Sequence, residues 1–102
     1  MNTNSKEDFL EHLFNIITIK AKSKDNKSYT RLLLNSGKKK IAQKVSEESG
    51  ELVIDYLNGS KKRTIEEASD LIYHLFVLLY SKKINLKDIK KELQKRNNVR
   101  HK

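Results

Sequence analysis

No proline occurs in the 102 residues of this chain, and glycine occurs only three times. Proline is the strongest helix breaker, because it lacks an N–H donor and its ring clashes with the preceding turn. Without it, little interrupts long helical runs. Strand signals are missing too: no Val-, Ile- or Thr-rich stretch lies between turn residues as strands require. The expectation is an all-α protein with a single domain over residues 1–102.

Apolar spacing divides the chain into about five helices. The first is expected from about Lys6 to Lys20, with Ser5 as N-cap and Asp8 as its capping-box partner. Phe9, Leu10, Leu13, Phe14 and Ile17 give it one apolar face. A polar loop follows, then a short helix from Tyr29 to Asn35, closed by Ser36-Gly37; Gly37 can take the left-handed conformation there. The third helix is expected from Lys38 to Leu57, stopping at Asn58-Gly59-Ser60. The fourth is expected from Thr64 to Ser81, with Thr64 as N-cap and Glu67 in the capping-box position. The fifth is expected from Leu86 to Arg96, with Asn85 and Asp88 as its cap. Residues 97–102 are expected to be a frayed basic tail.

The fourth helix is apolar nearly all round, carrying Leu71, Ile72, Leu75, Phe76, Val77, Leu78, Leu79 and Tyr80. Such a helix needs burial on several sides. Five short helices cannot easily enclose it, and small domains often gain burial by association. A helical bundle completed by homodimerisation is expected.

The absence of cysteine excludes thiol catalysis, zinc-thiolate sites and disulfides. The polar, partly acidic N-terminal segment is not a secretory signal, and the longest apolar stretch, Leu75 to Tyr80, is too short to span a bilayer. A cytoplasmic protein without membrane contact is expected. The formal net charge of +9 admits either attraction to a polyanion or solvated lysine faces. The lysines are scattered, and no aromatic residues interleave with the clusters as a nucleic-acid stacking platform needs. Nucleic acid is therefore not an expected partner.

Charge placement is more specific. Glu47, Glu48 and Glu51 share the third helix, with Asp55 extending the row. Like charges four residues apart cost about 0.2–0.5 kcal/mol per pair, yet Gln43, Glu47, Glu51 and Asp55 stack with no cation among them. Glu48 interrupts an apolar face of Ile41, Val45, Leu52 and Tyr56. A carboxylate facing a core must be paired, neutralised or bound to a cation, and Lys44, one turn earlier, is one candidate partner. Glu67 and Asp70 follow on the next helix. Two antiparallel helices would bring these groups face to face, an oxygen-only donor set that suits Mg²⁺ or Mn²⁺, not zinc. Two readings stay open at this point: a metal site, or exposed helix glutamates with Glu67 serving as a cap.

Glu48-x-x-Glu51, fifteen residues, then Glu67-x-x-Asp70 resembles the paired acidic signature of the all-α nucleotide pyrophosphohydrolase superfamily, which includes MazG-like enzymes and dimeric dUTPases. The flanking residues are more specific. Ser28-Tyr29-Thr30, Ser36-Gly37, Lys40 to Val45, Glu67-Ala68 and Asp70 to Leu75 resemble the phosphoribosyl-ATP pyrophosphohydrolase family of histidine biosynthesis. Ser46 and Gly50 depart from it: the family usually has glycine just before the paired glutamates.

The resemblance implies Mg²⁺-dependent hydrolysis of phosphoribosyl-ATP to phosphoribosyl-AMP and pyrophosphate by a homodimer. The chain reads as the stand-alone form, with no cyclohydrolase-like segment. Carried over onto this chain, Glu48, Glu51, Glu67 and Asp70 are expected metal ligands. Glu47 would hold a second ion or act as general base. Ser28, Tyr29, Thr30 and Lys44 are expected substrate contacts. His74 would contact substrate, sit behind the metal or pack in the core. The alternatives are a housecleaning nucleoside-triphosphate pyrophosphatase of the same superfamily and a non-enzymatic basic helical protein that binds nucleic acid.

Overall fold

The computed structural model describes residues 8–25 and 27–100. They form five helices: α1 (Phe9–Lys22), α2 (Tyr29–Asn35), α3 (Lys38–Asn58), α4 (Lys61–Ser81) and α5 (Leu86–Arg100). Among the described residues there is no strand, and no helix is long and apolar enough to cross a membrane.

The expected helix start at Ser5 and Lys6 lies outside the described residues. Within them α1 opens on Asp8, whose Oδ1 accepts from the Glu11 amide at 2.8 Å. Phe14 and Ile17 face the core, whereas Phe9 and Leu10, from the same expected face, are exposed. A Lys90–Glu11 ion pair ties α5 to α1.

α3 and α4 pack side by side as an antiparallel hairpin, turning at Gly59 and Ser60. The Gly59 amide donates to Asp55 O at 2.8 Å. A Cβ on Gly59 would lie 2.7 Å from Asp55 Oδ1 and 3.0 Å from the Asp55 backbone, so a side chain here would make the Asp55 carboxylate swing aside and the turn give by a few tenths of an ångström. Gly37, between α2 and α3, has φ 95° and ψ 170°, a conformation essentially reserved for glycine.

The expected N-cap of α4, Thr64, is wrong. Ser60 caps the helix, its Oγ accepting from the Arg63 amide at 3.1 Å. The cations Lys61, Lys62 and Arg63 fill the first turn, where the helix dipole disfavours them, and this disguised the turn. Thr64 Oγ1 instead donates within the turn, 2.9 Å from Ser60 O and 3.2 Å from Asp55 O. Glu67 is thereby displaced from its expected capping position into the helix interior.

The core consists of Phe14, Ile17, Leu33, Ile41, Phe76, Val77 and Leu79. Phe14 meets Phe76 edge-on at 5.3 Å between centroids. Tyr56 does not join the buried stripe of α3 but is 74% exposed. Fifteen residues beyond Ile41, at about 100° per residue, the stripe has rotated roughly 60° from the core.

α4 ends in a Schellman-type cap: the Ile84 amide donates to Leu79 O and the Lys83 amide to Tyr80 O, both at 2.9 Å. Lys83 takes the left-handed position, φ 64°, where glycine is usual. α5 has the expected reciprocal cap, Asn85 N to Asp88 Oδ2 at 3.0 Å and Asp88 N to Asn85 Oδ1 at 3.2 Å. Its helix runs to Arg100, past the expected end at Arg96, and residues 101–102 of the expected tail lie outside the described residues.

Candidate metal centre

The hairpin sets Glu48 of α3 opposite Glu67 and Asp70 of α4. One carboxylate oxygen from each lies within 4.8 Å of the other two. Glu48 is 8% exposed and Glu67 6%, whereas Asp70 opens to solvent. The site is thus an acidic mouth with a buried back wall.

Each buried carboxylate is held by one oxygen. Glu48 Oε2 lies 3.7 Å from Lys44 Nζ, and Glu67 Oε2 lies 3.4 Å from Arg63 Nη2. The other oxygens, Glu48 Oε1 and Glu67 Oε1, are buried with no hydrogen-bond partner. A buried acceptor without a partner costs about 1–3 kcal/mol, and more when charged. Two such atoms in one hairpin, with Asp70 beside them, form an oxygen-only donor set that fits a hard divalent cation.

Glu51 sits on the exposed side of this mouth, with its carboxylate close enough to Glu67 to act on its charge. Glu47 stands further out, accepting from Gln43 Nε2 at 2.8 Å and 3.9 Å from Lys44 Nζ. Arg63 was absent from the sequence expectations. It bridges Asp55, Glu66 and Glu67 at 3.4–3.7 Å. Its spacing of four residues before Glu67 was a signal, but the helix start placed at Thr64 hid it.

Burial, first of all, holds the Glu67 carboxyl above its ordinary 4.5. The neighbouring Glu51 carboxylate pushes the same way, Arg63 opposes it, and Asp70 adds to the rise. The folded chain therefore binds this proton more tightly than the unfolded chain. The resulting stabilisation is complete below about pH 4.5 and is lost as pH climbs through the raised folded value. Metal-free protein is expected to lose stability across that interval, and Glu67→Gln to flatten the loss. Thermal melts in EDTA at stepped pH test this; parallel curves for both proteins would assign the slope elsewhere.

Behind the mouth, His74 is 8% exposed and uses both ring nitrogens. Nδ1 lies 2.8 Å from Asp70 O, and Nε2 lies 2.9 Å from Tyr29 Oη. A carbonyl only accepts, so Nδ1 carries the proton and Nε2 accepts from the phenol. His74 has no nitrogen left for a metal. Thr30, 2% exposed, bonds to Tyr73 Oη, and Ser28 Oγ caps α2 by accepting from the Arg31 amide at 3.3 Å. Of the segment 28–30, Tyr29 is the exposed residue, at 48%.

Comparison with known proteins adds the family. The family model described as phosphoribosyl-ATP pyrophosphohydrolase matches residues 10–97. The phosphoribosyl-ATP pyrophosphatase of Clostridium acetobutylicum is 44% identical over 92 residues, spanning 90% of this chain and 84% of the relative. That of Sulfolobus acidocaldarius is 42% identical over 90 residues, spanning 88% and 95%. The histidine biosynthesis bifunctional protein HisIE of Bacteroides thetaiotaomicron is 46% identical over 89 residues, 87% of this chain. The match spans less than half of that relative, 44% of its length.

Proposed function

The chain belongs to the phosphoribosyl-ATP pyrophosphohydrolase family, and on that premise we propose that it hydrolyses phosphoribosyl-ATP between its α- and β-phosphates, releasing phosphoribosyl-AMP and pyrophosphate. The observation that carries the reading is the pair of buried, unpartnered oxygens, one on Glu48 of α3 and one on Glu67 of α4, with the Asp70 carboxylate beside them. Glu48, Glu67 and Asp70, with Glu51 at the rim, would hold Mg²⁺; Mn²⁺ suits the same donors. When bound, the cation supplies charge neutralisation for the phosphates and acidifies a coordinated water.

The chain's own residues supply the rest. Lys44 and Arg63 each hold one oxygen of a buried carboxylate, which leaves the other oxygen without a partner. Water adds to the α-phosphorus as the bridging P–O bond to the β-phosphate breaks, and the bond's electron pair leaves on pyrophosphate. The water's proton passes to an exposed carboxylate, for which Glu51 and Glu47 are placed at the rim. Lys44, between Glu47 and Glu48, offers its ammonium to the charge that builds on the leaving group.

A homodimer accompanies this reading. Val53, Ile54, Tyr56 and Leu57 of α3 and Ile65 of α4 are each more than half exposed. They form an apolar end on the hairpin that a second copy would cover. On this reading the interface lies nearer the hairpin turn than the apolar run of α4 suggested.

The test is pyrophosphate release from phosphoribosyl-ATP, run beside dUTP and ATP, with Mg²⁺ and with EDTA. Release from phosphoribosyl-ATP that stops in EDTA is expected, with the other two slower by at least about tenfold. Faster release from dUTP would move the chain to another activity of the superfamily, and release that survives EDTA would sink the metal site. Light scattering on the same sample should return about twice 11.9 kDa.

A further inference from the structure

We propose that Tyr29 and His74 form a positioning pair, which pins the start of α2 to α4 beside the acidic mouth and so sets substrate affinity without serving the metal. The inference rests on the activity proposed above and assigns His74 a role other than substrate or metal contact. Three observations carry it.

First, His74 is fully employed. Its Nδ1–H donates to Asp70 O at 2.8 Å and its Nε2 accepts from Tyr29 Oη at 2.9 Å. A buried imidazole with both nitrogens satisfied can bind neither a cation nor a phosphate unless it breaks one of these bonds. The backbone bond fixes the tautomer, and the tautomer makes Nε2 an acceptor for the phenol.

Second, the link joins distant parts of the chain at a useful place. Tyr29 and His74 are 45 residues apart. Tyr29 is the first residue of α2, and the carbonyl behind His74 belongs to Asp70, whose carboxylate is part of the acidic mouth. Two hydrogen bonds therefore connect the first turn of α2 to the backbone of the candidate metal ligand.

Third, the aromatic packing leaves the pair one geometry. The Tyr29 ring stacks on Tyr73 at 6.0 Å with 29° between planes, and the His74 ring meets both tyrosines edge-on at 5.8 and 5.3 Å. Thr30 is tied to Tyr73 Oη in parallel. Tyr29 is nonetheless half exposed, so the side chain anchored by His74 and Tyr73 also meets solvent.

The experiment compares wild type, Tyr29→Phe, His74→Gln and the double variant. Tyr29→Phe removes one hydroxyl and keeps the ring, so it preserves the fold even if His74→Gln does not. KM for phosphoribosyl-ATP is expected to rise about five- to tenfold in Tyr29→Phe, the size of one lost hydrogen bond. kcat should stay within about threefold, and the Mg²⁺ concentration for half-maximal rate should not move. The double variant should resemble the single ones, because both remove the same bond.

Long-range ¹H–¹⁵N spectra of the free protein should show His74 with its proton on Nδ1, and the Nε2 signal should shift in Tyr29→Phe. This arm needs no activity, so it separates failure of the pair from failure of the proposed reaction. Unchanged KM in Tyr29→Phe overturns the proposal, as do additive effects in the double variant or a proton found on Nε2. A shift in Mg²⁺ requirement with KM unchanged would overturn it too, by placing the pair in service of Asp70 instead.

Discussion

Glu48→Gln is expected to lower kcat for pyrophosphate release by about 10²–10³-fold while leaving the helical content unchanged. Gln preserves the shape of the side chain and removes its charge. Glu48 Oε1 is one of two buried oxygens with no partner, and only a charged carboxylate there gives a divalent cation reason to enter. The metal-free variant should also melt higher than metal-free wild type, because a buried charge that lacked full compensation is gone. Added Mg²⁺ should then stabilise wild type and leave Glu48→Gln where it was. Steady-state kinetics at saturating Mg²⁺, with melts run in parallel, check both halves. A variant retaining more than a tenth of wild-type kcat would remove Glu48 from the ligand set.

Ile17→Ala is expected to cost about 2–5 kcal/mol of folding stability. Ile17 is completely buried, as is Val77 of α4 in the same cluster. Truncation leaves a cavity beneath α1 that the surrounding Phe14 and Phe76 rings fill only in part. For a domain of this length, total stability is on the order of 5–15 kcal/mol, so the loss is a large share of it. The acidic mouth should survive, because its ligands stand on the α3–α4 hairpin and not on α1. Urea denaturation measures the loss, and kcat per folded molecule at low temperature should stay close to wild type. A cost below about 1 kcal/mol would mean that α1 is not anchored by this residue.

The two predictions separate what the fold supplies from what the site supplies, and the sequence was legible to different depths in each. Helix number and order followed from periodicity and from the absence of proline. α2 was read to the residue, and the cap at Asn85 and Asp88 was read correctly, because capping depends on neighbours three residues apart. Thr64 failed as a cap because three cations in the first turn of α4 oppose the dipole, and Ser60 starts the helix in spite of them. Tyr56 failed as a core residue because a long helix rotates its stripe away from a partner of finite width. The expected carboxylates were legible by residue type and spacing, but their individual oxygens were not.

The sequence by itself determined that the chain is helical, that Glu48 falls on the apolar side of its helix, and that Glu67 and Asp70 stand on one side of the next helix. Each of these depends on a repeat of three or four residues, a relation confined to one or two turns. Only the tertiary structure decided that Arg63 reaches Asp55 and holds Glu67, that two carboxylate oxygens are left without partners, and that Tyr29 meets His74 from 45 residues away. Those facts depend on how one helix lies against another. Local spacing sets which side of a helix a group occupies, but not what stands opposite it.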